Sequence, residues 1–293
     1  MQITRRQFTQ RLLITGAGLH AVATRAVAAD EQRMNNRLFI MDTWFWGDQI
    51  PFDQQVALLA ELGVKAMLLS GLHHVTPENL QLLDDHDIAL EAVYHVANAE
   101  EPPSEPLLDV IARLQGRDTL IALAMSSKAF GTSDPEGDAP AIRQVGAYAD
   151  AAEEAGLSVA FYPHAGFWLE RVADGVRLAQ KIDRPNVGAI FNLYHWLARD
   201  AEEVTLDQTL DEALPYLKAV TINGAQQDTA RIPVNDAILP LDQGNYDLRP
   251  LMRKLAARQY AGPIGLQGYS IQGDAPGKLQ RSVETYRALT TLR

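Results

Sequence analysis

The chain contains no cysteine. Disulfide staples, thiolate metal sites and a cysteine nucleophile are therefore excluded. Positive charge is scarce: 26 Lys+Arg face 37 Asp+Glu, a formal net charge of −11. Such a field repels a phosphate backbone, and no local basic patch offsets it, so nucleic acid is not an expected partner. Beyond the N-terminal segment, no stretch reaches the roughly 18 apolar residues of a membrane span. No G-x-G-x-x-G loop follows the first apolar run, where MDTWFWGDQIPF stands instead. Internal repeats, low-complexity tracts and convincing linkers are also lacking.

What is present begins with MQITRRQFTQRLLITGAGLHAVATRAVAAD. Arg5-Arg6 is followed by Gln7-Phe8, a weakly apolar run, and small residues at Ala26-Val27-Ala28-Ala29. Residues 1–29 resemble a twin-arginine export signal. That resemblance implies passage through the twin-arginine export machinery and a periplasmic or secreted mature protein with no membrane span. Removing this segment takes away four arginines and no acid, which deepens the formal charge to −15. Residues 30–293 are long enough for one large core.

From residue 38 onward, apolar runs of strand length alternate with helix-like segments. LFIMDTWFW, VKAMLLS, IALEAVYH, TLIALAMS, LSVAFYPH, NVGAIFNLYH, LKAVTING and PIGLQGYS read as eight strands. Between them lie segments with apolar residues at helical spacing, such as FDQQVALLAELG and the long APAIRQVGAYADAAEEAG. The strands are nearly continuously apolar, as strands covered by helices are. The pattern predicts α/β architecture: a single-domain (β/α)₈ TIM barrel over 30–293, with an open doubly wound sheet as the alternative. Two long connections, 126–140 and 223–247, are expected over the C-terminal mouth.

Polar residues gather at the predicted strand ends. Asp42, Trp44 and Trp46 end the first strand, and His73 and His74 follow the second. Glu91, Tyr94 and His95 lie on the third, Lys128 follows the fourth, and Tyr162 and His164 end the fifth. Asn192 and His195 end the sixth, Asn223 the seventh, and Gln267 and Tyr269 belong to the eighth. Clustered polar groups at the ends of buried strands are costly to bury and point to ligand recognition. His164, His195, Glu91 and His95 are the candidate catalytic residues. Asn192, Asn223, Gln267, Tyr162, Trp46 and Lys128 are the candidate substrate contacts. Lys128 and Arg171 are the cations expected nearest the site.

With these residues in hand, the chain resembles the xylose-isomerase-like TIM barrels over residues 38–291. Its FYPHAGFWLERV…NVGAIFNLYHWL pattern is similar to an exported bacterial subgroup described as sugar phosphate isomerase/epimerase-like. Members of the family bind Mn²⁺ or a similar ion through carboxylates and histidines at the barrel mouth. The resemblance implies that Tyr162 stands where the family has a strand-five glutamate. By the same likeness, Asn192 replaces the aspartate of an Asp-x-x-His pattern that keeps His195, and Gln267 replaces the strand-eight glutamate. Three carboxylates thus become one phenol and two amides, and no metal is expected. A rearranged site of His164, His195 and Glu91 or Asp42 would suit zinc or manganese by ligand type.

The family's chemistry implies proton abstraction beside a sugar carbonyl. A neutral imidazole, His164 or His195, is a competent base near neutral pH. Asn192, Asn223 and Gln267 would donate to the enediolate, and Glu91 or the second histidine would return the proton. Three functions remain open at this point. The first is isomerisation or epimerisation of a neutral keto sugar; the second is elimination from a 3-keto glycoside. The third is carbohydrate binding without chemistry.

Overall fold

Each of the eight apolar runs forms a strand. The computed structural model describes residues 32–292; the export signal expected at 1–29 lies outside the described residues. The barrel strands are β1 (Leu38–Met41), β2 (Ala66–Ser70), β3 (Ala89–Asn98), β4 (Leu120–Ser126), β5 (Ser158–Phe161), β6 (Val187–Asn192), β7 (Leu217–Ile222) and β8 (Ile264–Leu266). They pair in chain order and close into one barrel, with Leu38 opposite Ile264 at the seam. All eight pairings are parallel.

Alternation along the strands explains the two layers of core. Phe39 and Met41 face inward with Leu68, Ala122, Tyr162 and Ile190. Ile40, Met67, Leu69 and Val93 face outward into the layer covered by helices. Both faces are apolar, so the sequence carries no polar stripe along its strands. The described helices are α1 (Phe52–Glu61), α2 (Pro77–Asp85), α3 (Glu105–Arg113), α4 (Asp138–Ala155), α5 (Val172–Ile182), α6 (Leu193–Arg199), α7 (Leu206–Ala213), α8 (Val234–Ala237), α9 (Arg249–Ala257) and α10 (Ala275–Leu289). Local chemistry sets their ends. The Thr76 hydroxyl accepts from the Asn79 N–H at 3.2 Å, with Pro77 in the first turn of α2. Gly156 ends α4 in the left-handed region at φ +73°. A short antiparallel ribbon, Gln32–Arg33 with Thr291–Leu292, ties the two ends of the described chain together.

Two boundaries differ from expectation, and both matter to the site. The first strand stops at Met41, and Asp42–Phe45 form a 3₁₀ turn. The sixth stops at Asn192, and LYHW opens helix α6. Asn192 causes the second change. Its Oδ1 accepts the His195 N–H at 2.9 Å, which caps the helix and takes the chain out of the sheet. Among the described residues, no helix is long and apolar enough to cross a membrane.

Candidate functional site

A cavity of about 370 Å³ opens at the C-terminal ends of the strands. His164, His195, Tyr162, Gln267 and Trp46 line it, so five of the expected site residues meet there. Val234 and Ile238 from the long connection after β7 cover one side. The other long connection does not reach it. Its Ser133 and Asp134 instead hold the loop after β5: Ser133 N–H donates to the Trp168 carbonyl at 2.8 Å, and the Trp168 indole donates to the Asp134 carbonyl at 2.8 Å. Trp44 and Trp168 are buried, whereas Trp46 is 46% exposed and meets Tyr269 edge-on at the rim.

The two imidazoles lie with ring centroids 4.5 Å apart. The backbone N–H and C=O of a single residue, Ala165, fix the hydrogen of each. The Ala165 N–H donates to Nδ1 of His195 at 3.0 Å. An imidazolium cannot accept, so His195 is neutral and carries its hydrogen on Nε2. The Ala165 carbonyl lies 3.1 Å from Nδ1 of His164. A carbonyl only accepts, so that Nδ1 carries the hydrogen and the Nε2 of neutral His164 keeps a free lone pair. Burial lowers the pKa of His164, opposed in part by the Ala165 carbonyl. Burial drives His195 well below the ordinary imidazole value, helped by His164 and Arg199. Gly166, at φ +84°, lets the loop turn tightly enough to present Ala165 this way. Its N–H donates to Glu170 Oε2 at 2.6 Å, and the same oxygen takes Arg199 at 3.0 Å. Glu170 therefore ties the His164 loop to the helix that carries His195.

Beneath the imidazoles sits a neutral network. The Asn192 Nδ2 lies 2.6 Å from the Tyr162 hydroxyl, 2.7 Å from Thr221 Oγ1 and 2.7 Å from Gln267 Oε1. The assignment of its amide is forced, because Oδ1 is committed to a backbone N–H. Asn192 is fully buried. Burial raises the Tyr162 pKa, against its hydrogen bonds to Thr221 and Asn192, so the phenol stays protonated. Tyr162, Thr221 and Gln267 thus converge on the Asn192 amide nitrogen.

This donor set does not fit a divalent cation. A cation of that kind needs anionic oxygens or imidazoles. Here a nitrogen with two hydrogens occupies the point where three neutral oxygens meet. Among the described residues, no three His, Cys, Asp or Glu side chains are grouped to hold a metal ion.

Several expected residues lie elsewhere. Glu91 is at the opposite end of the barrel, near the start of β3. The β2–β3 register shifts there, leaving Glu91 as the extra residue of a bulge. It pairs with Arg37, N–O 2.5 Å, which precedes β1; burial raises its pKa and Arg37 opposes this. It reaches neither imidazole's cavity. His95 follows inward-facing Tyr94 by one position, so alternation turns it to the outer face, where burial lowers its pKa. Asn223 is buried beside the mouth with Nδ2 on the Gly224 carbonyl at 2.8 Å, outside the lining of the cavity. Lys128 belongs to a separate surface cleft beside Glu100. Arg171 is bound to Glu203 at 2.6 Å in another cleft. Asp42 accepts from the Ser70 N–H at 2.9 Å in a neighbouring cavity.

Arg199, Tyr194, Thr221 and Glu170 are among the lining or network residues that escaped the sequence. Arg199 was readable in principle. His195 and Arg199 are four apart, so they share a face once LYHW is seen as a helix.

No curated protein matches the chain significantly in sequence. Solved structures that resemble it include D-psicose 3-epimerase from Clostridium cellulolyticum H10, at 14% identity and TM-score 0.67, covering 87% of this chain and 99% of that one. A 3-keto-D-glucoside 4-epimerase from E. coli matches at 16% identity and TM-score 0.66, over 86% and 99%. An AP endonuclease of family 2 from Brucella melitensis matches at 17% identity and TM-score 0.65, over 83% and 96%. At these identities the likeness establishes the barrel and does not choose among their chemistries. The family described as xylose isomerase-like TIM barrel matches residues 107–289, more than half of the sequence, and the chain belongs to that family.

Proposed function

We propose that the chain is a metal-independent sugar isomerase acting beside the carbonyl of a neutral keto sugar. The observation that carries this is the opposite protonation that Ala165 imposes on two adjacent imidazoles. His164 Nε2 removes the proton from the carbon next to the carbonyl. The C–H electron pair forms the C=C bond of an enediolate, and the carbonyl oxygen becomes the oxyanion. His195 Nε2–H donates to that oxygen, as a neutral imidazole can without first being protonated. The Gln267 Oε1 is engaged by Asn192, which leaves its NH₂ as a second donor on the cavity wall. Arg199 adds a positive charge to the same wall.

The hydroxyl on the deprotonated carbon passes its proton to the neighbouring oxyanion, and the protonated His164 returns the carbon-bound proton to the former carbonyl carbon, which moves the carbonyl by one position. Glu91 is too remote to share this role, and His195 would have to become an imidazolate to do so. A single base on one face supports isomerisation directly. Epimerisation also needs a donor on the other face; Tyr94 and Tyr194 are two of the hydroxyl-bearing residues in the lining. If the substrate carries a leaving group at the β position, the same enediolate expels it, and the reaction is elimination. Export to the periplasm or beyond, argued from Arg5-Arg6, fits a neutral sugar substrate better than a sugar phosphate.

The test is proton NMR in D₂O with keto sugars and 3-keto glycosides. Solvent deuterium is expected at the carbon beside the carbonyl, and the exchange is expected to survive dialysis against a chelator. Tight binding of these sugars with no exchange would instead establish a carbohydrate-binding protein.

A further inference from the structure

The Ala165 carbonyl that fixes the hydrogen of His164 shares a peptide bond with the Gly166 N–H. A trans peptide is planar, and its C=O and N–H point in opposite directions. Whatever holds the N–H on one side therefore aims the carbonyl on the other. Glu170 is the holder. Its Oε2 accepts the Gly166 N–H at 2.6 Å, while the Ala165 carbonyl lies 3.1 Å from Nδ1 of His164. The contact to His195 is separate, because the Ala165 N–H belongs to the preceding peptide. Glu170 is itself well fixed. It is 8% exposed, and the same Oε2 takes Arg199 Nε at 3.0 Å. Its backbone N–H donates to Asp174 Oδ2 at 3.2 Å, an oxygen that also accepts from the Arg171 N–H and the Ser133 hydroxyl. A hydrogen bond to a carboxylate in such a place is stronger than one between neutral groups.

The peptide it holds has a second orientation open to it. The Phe167 N–H donates to the His164 carbonyl at 2.9 Å, so His164–Phe167 is a β-turn with Ala165 and Gly166 at its centre. The φ of +84° at Gly166 is that of a type II turn. Types I and II share the closing hydrogen bond and differ by a half-turn of the central peptide. Glycine adopts either sign of φ at little cost. In the rotated form the Gly166 N–H, a donor, would face the His164 ring in place of the carbonyl. Nδ1 would then accept, the hydrogen would move to Nε2, and the lone pair used in the proposed chemistry would be gone. We infer that Glu170 is a positioning residue: its grip on the Ala165–Gly166 peptide holds His164 in the Nδ1–H tautomer. The catalytic consequence rests on the base role proposed above for His164, whereas the tautomer is a property of the protein alone.

Long-range ¹H–¹⁵N correlation NMR of the full-length, histidine-labelled protein near pH 7.5 tests this without substrate. In Glu170→Ala, the ratio of the Nε2–H to the Nδ1–H form of His164 is expected to rise about tenfold or more, while His195 keeps its hydrogen on Nε2. Glu170→Gln retains an acceptor oxygen without the charge and is expected to fall between wild type and Glu170→Ala. Gly166→Ala reaches the same peptide without touching Glu170. An L side chain disfavours φ +84°, and its Cβ would meet nothing within 4 Å, so the change acts on the turn alone. It is expected to raise the same ratio. If the His164 ratio is unchanged in Glu170→Ala and Gly166→Ala, the positioning role is overturned. It is equally overturned if both imidazoles change together, as a general loosening of the loop would make them. Deuterium exchange on a keto sugar reads the chemistry separately. In Glu170→Ala the exchange rate at saturating substrate is expected to fall in proportion to the lost Nδ1–H form, with KM nearly unchanged. Exchange at the wild-type rate despite an inverted His164 removes the base role and keeps the positioning.

Discussion

Replacing His164 by glutamine is expected to slow solvent exchange at the substrate carbon by about a hundredfold to ten-thousandfold, the usual span for a lost general base. KM should change far less, because the imidazole's lone pair matters to the proton transfer more than to ground-state binding. Glutamine keeps a hydrogen-bonding side chain at the position but has no basic nitrogen. The wild-type pH profile should carry the same signature. Burial holds the His164 pKa below its ordinary value, so the neutral base persists at pH values where a free histidine is already protonated. The rate is then full above the lowered pKa and falls as pH drops through it. The acid limb of kcat/KM is expected below pH ~6.5, and it should vanish from the residual activity of His164→Gln. A limb at or above the ordinary imidazole value would assign the proton transfer to another group.

Replacing Asn192 by alanine is expected to destabilise the protein by about 3 kcal/mol and to reduce turnover as well. Two losses combine. The cap on the His195 N–H goes, which by itself costs about 1 kcal/mol. The Tyr162 hydroxyl, Thr221 Oγ1 and Gln267 Oε1 also lose their common donor in a space that water does not reach. For a chain of this length a loss of that size lowers Tm by roughly 6–12 °C, read by thermal denaturation followed by circular dichroism. A change below about 1 kcal/mol would mean that the network is satisfied in some other way and that Asn192 serves as an ordinary cap. Turnover suffers because the cap places His195 at the start of α6, within reach of the Ala165 N–H.

The barrel was legible because its physics is local and repeated. Eight apolar runs separated by helical segments have few other ways to bury both faces of a strand. The imidazole pair was legible for a related reason: Tyr162 and His164 follow directly on β5, Asn192 ends β6 with His195 three positions on, and neighbouring strands bring their ends together. Glu91 was misread because a carboxylate inside an apolar run says nothing about which end of the strand it sits on. Its partner Arg37, which precedes β1, shows that it belongs to the floor of the barrel. Lys128 was misread because a loop's position in sequence does not determine which way the loop folds. Its neighbour Glu100 accepts the Lys128 and Ala129 N–H groups and holds the segment over another cleft. Arg199 was overlooked because the LYHW segment reads as the end of a strand until the Asn192 cap is recognised. The role of Ala165 could not be read at all, since it resides in a backbone amide and carbonyl and not in a side chain.

The opposite protonation of the two imidazoles can be measured without any substrate. Long-range ¹H–¹⁵N correlation NMR of histidine-labelled protein near pH 7.5 distinguishes the two neutral tautomers and the imidazolium. His164 is expected to show hydrogen on Nδ1 and a bare Nε2, and His195 the reverse. If both rings carry hydrogen on the same nitrogen, or if His195 is an imidazolium at that pH, the division of labour between base and oxyanion donor is contradicted.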